Sequence, residues 1–313
     1  IANVNTADYA RREARFLTDA IPDQFAGVDV EIARAAADRF LQGAAYRGGA
    51  DAARASAISE ALSRVEASLG APGDNISFSN ELDRAFAALT ALAANPSSEV
   101  ARIDALGALD AAFASFGRTQ DAIAQEAVAA EGRLSLDIDR ANALLVEIYR
   151  LNSAVPSSAG AADLLDARLT ELSELVSIEV TRNDLGQAIV AASDGTILAD
   201  AGGYTAFGFT PGPPTALTLS SAAPETGALT LINSDFGGNI ASGEIRGLLD
   251  LINVDLAGLD ALVGQAAPGV AAVPNAAHGA NTAVGAPPPS ALALIAPGGA
   301  GRGGGSGGGR VSA

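Results

Sequence analysis

The chain lacks several kinds of side chain outright. Its 313 residues contain no Cys, Met or Trp. All 19 basic residues are Arg, so Lys is absent too, and His278 is the single histidine. Without Cys no disulfide scaffold can form. A zinc centre built on Cys, or on two or more His, is excluded. So are cysteine nucleophiles, Schiff-base lysines and lysine-bearing phosphate loops. Aromatic residues make up only 4% of the chain, although 49% is hydrophobic, much of it Ala. Large side chains for a thick core are therefore scarce. Ala-rich helices in close contact suit this composition better than a deep globular enzyme does. No apolar run approaches the roughly 18–20 residues that cross a bilayer, and no cleavable signal peptide is visible. A chain that starts at Ile1 and holds no Met is expected to have sequence before it. Against 19 basic residues stand 36 acidic ones, a net charge of −17. Such a surface repels nucleic acid and anionic lipid, so the expectation is no nucleic acid and no membrane among the partners.

What is present is mostly helical periodicity. Residues Ile1 to about Asp23 read as a polar, extended lead-in that Pro22 keeps from becoming a helix. A helical pattern is expected from about Val30 to Gln42, and a clearer one from Asp51 to Leu69. In the latter, Ile58, Leu62, Val65 and Leu69 share one face. Gly70 and Pro72 end it. Leu82, Phe86, Leu89 and Ala93 mark the next helix, with Asn95-Pro96 as its stop and Ser97 or Ser98 as the following cap. From about Ser98 to Leu151 the pattern runs on through Val100, Ile103, Leu106, Leu109, Phe113, Phe116, Ile123, Leu134, Ile138, Leu145 and Ile148. Unbroken, that helix would reach roughly 80 Å, with bends possible at Gly107, Gly117 and Gly132. Leu165, Leu169, Leu172 and Val176 mark a shorter amphipathic helix.

The period then changes. Val176, Ile178 and Val180 alternate as in a half-buried strand. Asn183-Asp184-Leu185-Gly186 and Ser193-Asp194-Gly195 are turn signals around Ala188 to Ala192. Further strands are expected at Tyr204–Phe209, Ala216–Leu219 and Ala228–Ile232. Helical spacing returns with Ile245, Leu249, Ile252, Leu256, Leu259 and Val263, a narrow stripe suited to packing along another helix. Pro268 and Pro274 are expected to loosen the segment beyond this stripe. The Gly-rich end, with Arg302 and Arg310, reads as a flexible tail or linker, since two arginines do not make an RNA-binding segment of so acidic a chain.

The expected fold is mainly α with a smaller β-rich insert. N- and C-terminal segments build a long-helix bundle, and the β subdomain projects from it. The boundaries expected are 1–23 for the lead-in, 24–175 and 240–284 for the discontinuous helical domain, 176–239 for the insert, and 285–313 for the Pro/Gly-rich tail.

A search for chemistry nominates no catalytic, cofactor-binding or metal-binding residue, and no cofactor. His278 reads as a hydrogen-bonded structural residue. A carboxylate dyad of the glycosidase kind is open by count alone. Yet Asp163, Asp166, Glu171 and Glu174 occupy an amphipathic helix whose charges ordinarily form the solvated face. Asp194-Gly195 is a turn without the ligand spacing of a calcium loop. Gly202-Gly203 and Gly237-Gly238 lack the context of a phosphate loop.

Several segments resemble a known family, in its order. Ile1-Ala-Asn3-Val4-Asn5-Thr6 with Tyr9 and Arg11 resembles the N-terminal motif of flagellar axial proteins. Gly27-Val28-Asp29-Val30 with Arg34, Asp38 and Phe40 is similar to the flagellar hook-associated protein 1 family. So is the run Phe78, Phe86, Leu89 and Leu92 that ends at Asn95-Pro96-Ser97 with Arg102. Asp163-Leu164-Leu165-Asp166-Ala167-Arg168 followed by Glu171-Leu172-Ser173 resembles that family's "LLDQRD…ELS" segment, with Ala167 and Leu169 as departures. Ser242-Gly243-Glu244-Ile245-Arg246-Gly247-Leu248-Leu249 is similar to the family's helix start after the insert, and Asn275-Ala276-Ala277-His278 to its Asn…His stretch.

The resemblance implies a structural adaptor joining hook to filament, secreted into the extracellular bacterial flagellum, without catalysis. It implies as partners the hook protein, a second junction protein or flagellin, further copies of the chain, and an export chaperone. A Cys-free composition is compatible with export in an unfolded state. No terminal helix is recognisable before Ile1 or after Pro287, and the chain is expected to be monomeric in dilute solution. Two alternatives stand beside this reading. One is another axial or filament protein of the flagellum, such as a hook, rod or flagellin-like subunit. The other is a carboxylate-based hydrolase.

Overall fold

Val28, Val30 and Ile32 alternate with Asp29 and Glu31, and a period of two makes a strand where the first helix was expected. The computed structural model describes residues 12–21, 24–34, 36–70, 77–280, 295–296 and 310–311. In it β1 (Arg12–Ile21) pairs antiparallel with β2 (Gln24–Arg34), placing Phe16 opposite Val30. The helix expected from about Val30 begins instead at Ala36. The start of the lead-in and nearly all of the Gly-rich tail lie outside the described residues.

Helix α1 (Ala36–Leu69) runs through Gly43, Gly48 and Gly49 without a break. Each Gly costs about 1 kcal/mol in a helix interior. Burial of Tyr46 and Ala50 in the same stretch offsets that cost. Ser77 caps α2 (Phe78–Ala94), its hydroxyl accepting the Asn80 N–H at 3.3 Å. Ser98 does the same for α3, accepting the Ala101 N–H at 3.2 Å. Helix α3 (Glu99–Ala154) is one element of 56 residues, uninterrupted by its three glycines. Ser158 opens α4 (Ala159–Leu175). After the sheet come α5 (Glu244–Asp250), a π-helical turn at Leu251–Leu256, and α6 (Ala257–Ala280).

The chain divides into two units, and the division falls within α1 and α3. One unit comprises Ser59–Glu131 and Asp250–Ala313. Its core is Leu109, Phe113 and Phe116 from α3 with Ala85, Ala112 and Ala271. Phe78 meets the Phe116 ring edge-on at 4.8 Å, a geometry that suits the charge distribution of the rings. Arg64 of α1 grips Glu126 of α3 with two parallel bonds of 2.6 and 3.0 Å. Two expectations shift here. Val100, Ile103 and Phe86 are exposed, and the contact face of α2 centres on Ala85. Small residues set the closest approach of two helices, so the aromatic beside them is left outside. Helix α6 also continues past Pro268 and Pro274. Val263, Ala267, Val270 and Ala271 keep packing on the core through the first of these, and that burial outweighs the one lost backbone bond.

The other unit comprises Ile1–Ile58 and Gly132–Leu249. Leu165, Leu169, Leu172 and Val176 of the α4 segment are fully buried, as their spacing predicts. The sheet is a six-stranded antiparallel meander in sequence order. Its strands are β3 (Glu179–Arg182), β4 (Ala188–Ala191), β5 (Ile197–Ala199), β6 (Tyr204–Thr210), β7 (Ala216–Ala222) and β8 (Leu229–Asn233). The sequence shows no separate signal for the three-residue β5. Both predicted turns are present. Asn183 Oδ1 accepts the N–H groups of Leu185 and Gln187, both at 3.0 Å. Asp194 accepts the Thr196 N–H at 2.9 Å.

Phe113 touches the α2–α3 core from its centre, and Phe113→Ala should lower unfolding stability by about 3–5 kcal/mol. Urea unfolding followed by circular dichroism measures the change; a loss below about 1 kcal/mol would show that the cluster does not organise its unit.

Candidate functional site at the base of the sheet

The chain leaves α4 at Leu175 and returns to helix at Glu244, so both crossings must be held at one place. Ser177 ties them. Its N–H donates to the Ser242 carbonyl at 2.9 Å, and its hydroxyl accepts the N–H groups of Ala241 and Ser242, both at 3.1 Å. Gly243 follows with φ +105 and donates its N–H to the Ala50 carbonyl of α1 at 3.2 Å. A Cβ at Gly243 would lie 2.6 Å from the Leu175 carbonyl oxygen, so both the backbone angle and the space demand glycine. One turn on, a Cβ at Gly247 would lie 2.9 Å from the Arg54 carbonyl of α1. The glycines of the Ser242–Gly247 motif are thus two points of backbone contact.

Helix α3 holds the sheet by a different device. The Asn152 amide donates to the Ala188 carbonyl at 2.9 Å and accepts the Ala188 N–H at 2.8 Å. Asn142 repeats this on β6, donating to the Phe207 carbonyl at 2.8 Å and accepting its N–H at 2.7 Å. Each side-chain amide thereby pairs with one strand residue as a neighbouring strand would. The Tyr149 and Tyr204 rings meet at 5.5 Å on the same two elements. Helix α4 adds an ion pair: buried Asp166 accepts from Arg182 of β3, and Gln42 of α1 donates to the same carboxylate oxygen at 3.4 Å. Arg182 also donates to the Gly186 carbonyl at 2.8 Å.

Charge is concentrated on the helix faces nearby. Arg133 of α3 pairs with Glu244 at the start of α5. Asp137, one turn along α3, lies close to the same Glu244. Burial, and then the Glu244 charge, push the Asp137 carboxyl from its ordinary 3.8 up to about 6. Asp194 goes the other way. A hydrogen bond from Asn239, helped by those from Thr196, holds its carboxyl below the usual range. Arg168 of α4 bridges Glu147 and Glu171, and Arg140 reaches Glu171 at 3.5 Å.

Asp163 and Glu174 lie on the solvated side of α4, and Glu171 is half-buried. Asp166 corrects the expectation of a solvated face, because a strand arginine, Arg182, neutralises it inside the unit. The backbone N–H groups of Gly202 and Gly203 point at Asp200, at 2.7 and 2.9 Å, a turn rather than an anion cradle. Gly237 and Gly238 form a 3-10 turn. His278 falls within α6, but its side chain is outside the described residues. Among the described residues no three His, Asp or Glu side chains could share a metal ion. The residues at the base of the sheet attach it to the helices. Sequence reasoning missed Asn142 and Asn152; their one signal is a poor helix former in the interior of a long helix.

Residues 62–286 match the family described as the flagellar hook-associated protein FlgK helical domain. No curated protein matches the chain. Among solved structures it is similar to the flagellar hook junction protein FlgK from Burkholderia pseudomallei, with a TM-score of 0.63 and 19% identity. That likeness of fold covers 76% of this chain and 43% of that protein, so the match spans less than half of the relative's length.

Asn152→Ala should leave the Ala188 N–H and C=O buried without partners and cost about 2–4 kcal/mol. Amide exchange at Ala188 should accelerate with it; unchanged exchange would mean the amide pairing carries no weight. A pH dependence arises from Asp137. Its neutral form is favoured in the folded chain, so its contribution is complete below about pH 4 and lost as pH rises through about 6. After allowing for solvent screening of a half-buried group, the loss is about 1–2 kcal/mol. Asp137→Asn should flatten that part of the stability profile in urea titrations between about pH 4 and 8, and a profile as steep as that of the parent would refute the assignment.

Proposed function

Because the chain belongs to the flagellar hook-associated protein FlgK helical-domain family, we propose that it is a structural adaptor between flagellar hook and filament. The observation that carries the proposal is the family match across residues 62–286, which takes in the Asn142, Asn152, Asp166 and Gly243 attachments. Those attachments make physical sense in an adaptor. A junction under torque needs parts fixed by many backbone contacts rather than by one mobile cleft. The hook protein, a second junction protein or flagellin, and further copies of the chain are its partners, with a chaperone during export. It acts outside the cell, and it does no catalysis. No described helix is long and apolar enough to cross a membrane. The organisation proposed keeps 176–239 as the insert of a discontinuous helical domain, 24–175 with 240–284, the hairpin at its start excepted.

A net charge of −17 sets the terms of assembly. Acidic neighbours pack only where Arg–carboxylate pairs cross the contact, so assembly weakens with salt. Deleting the gene from its host should leave hooks that release flagellin into the medium instead of building filaments. Electron microscopy of the deletion strain decides the matter: attached filaments of normal length would overturn the proposal.

A further inference from the structure

The two edges of the six-stranded sheet are not alike. Strand β3 begins with Glu179 and ends with Arg182, and charge on an edge strand discourages further pairing. Strand β8, Leu-Thr-Leu-Ile-Asn, carries no charge and no proline. It pairs with β7 on one side, and among the described residues nothing pairs on the other. Its apolar side chains stand in solvent: Leu229 and Leu231 are 60% exposed and Ile232 is 55% exposed. The register shifts between Leu219 and Ser220, skipping Ile232. That residue instead lines a groove of about 440 Å³ together with Ile197, Tyr204, Thr205 and Pro224. Free backbone groups and exposed apolar side chains are what an edge needs to accept an added strand.

The surrounding charge selects the occupant. Exposed Glu225 precedes β8, exposed Asp235 follows it, and Asp200 lies in the groove. No Arg lies between Arg182 and Arg246. A second copy of the same edge would set acid against acid at both ends, which disfavours self-pairing. We infer that β8 is a docking edge for an extended, apolar segment of a protein partner that carries basic residues at its flanks. The strand's backbone supplies the affinity, exposed Leu229 and Leu231 meet the segment's apolar side chains, and the acidic ends set its charge. This inference does not rest on the junction reading, and filaments in a deletion strain would leave it untouched.

The test uses the full chain and two synthetic peptides, each an alternating Val-Thr core flanked by two Arg or by two Glu on either side. Fluorescence titration reads affinity, and hydrogen–deuterium exchange reads protection of the Leu229–Asn233 amides. The Arg-flanked peptide should slow β8 exchange about tenfold or more and weaken severalfold between about 50 and 300 mM salt. The Glu-flanked peptide should bind at least about tenfold more weakly. Leu231→Lys should lose binding of the Arg-flanked peptide by about tenfold, while Leu185→Lys, on an exposed turn of the same unit, should not. The inference is overturned by equal binding of the two peptides, by protection anywhere but β8, by no binding of either, or by light scattering that shows the chain dimerising through this edge.

Discussion

A sheet inserted into a helical chain must have its two crossings closed against each other, and the rest of this structure depends on that closure. Ser177 and Ser242 supply it with backbone and hydroxyl bonds, and Gly243 allows it by having no side chain. A Cβ there would occupy the space of the Leu175 carbonyl. The closure also draws in α1, because the Gly243 N–H is committed to Ala50. Three separated pieces of chain therefore meet through main-chain atoms at one spot. Removing any one leaves buried polar groups unpaired, a cost larger than the net value of the bonds themselves.

Around that closure the stabilisation is distributed. The cores of the two units have few aromatic rings: Ala57 and Ala141 are buried in one, and Ala61, Ala85, Ala105 and Ala112 in the other. Thin layers of this kind bury modest area per residue. Polar ties join the elements as well. Arg64 grips Glu126 with both arms of its guanidinium, and Arg182 meets Asp166 in a buried setting. A planar fork can hold a carboxylate at two points, which an ammonium cannot.

Periodicity in the sequence located most of the helices and the β-rich region. Leu165, Leu169, Leu172 and Val176 show why: they are large, regularly spaced and wholly buried. It faltered where two signals competed. Val28 to Ile32 alternates within a stretch that also satisfies a loose helical spacing, and the alternation prevailed. Phe86 and Ile103 are hydrophobic but exposed, because a neighbouring Ala brings the partner helix closer than a large side chain permits. Pro268 marks a helix end in most contexts, yet packing on both sides of it carries α6 onward. The base of the sheet was half legible. Gly243, Gly247 and Asp166 sit in recognisable motifs, although the motif does not say that Asp166 is buried. Asn142 and Asn152 were silent, since an asparagine in a helix carries no mark of the strand residue it will meet 65 or 36 positions later.

Those two asparagines have a wider consequence. Each reads an N–H and a C=O, which every residue but proline presents alike. The helix therefore recognises where a strand passes, and is indifferent to which side chains that strand bears. A sheet held this way is an interchangeable fitting. Its outward residues, its turns and even its length can drift or be exchanged, provided that two backbone positions still come past α3 at the same separation. The mounting stays constant while whatever is mounted changes.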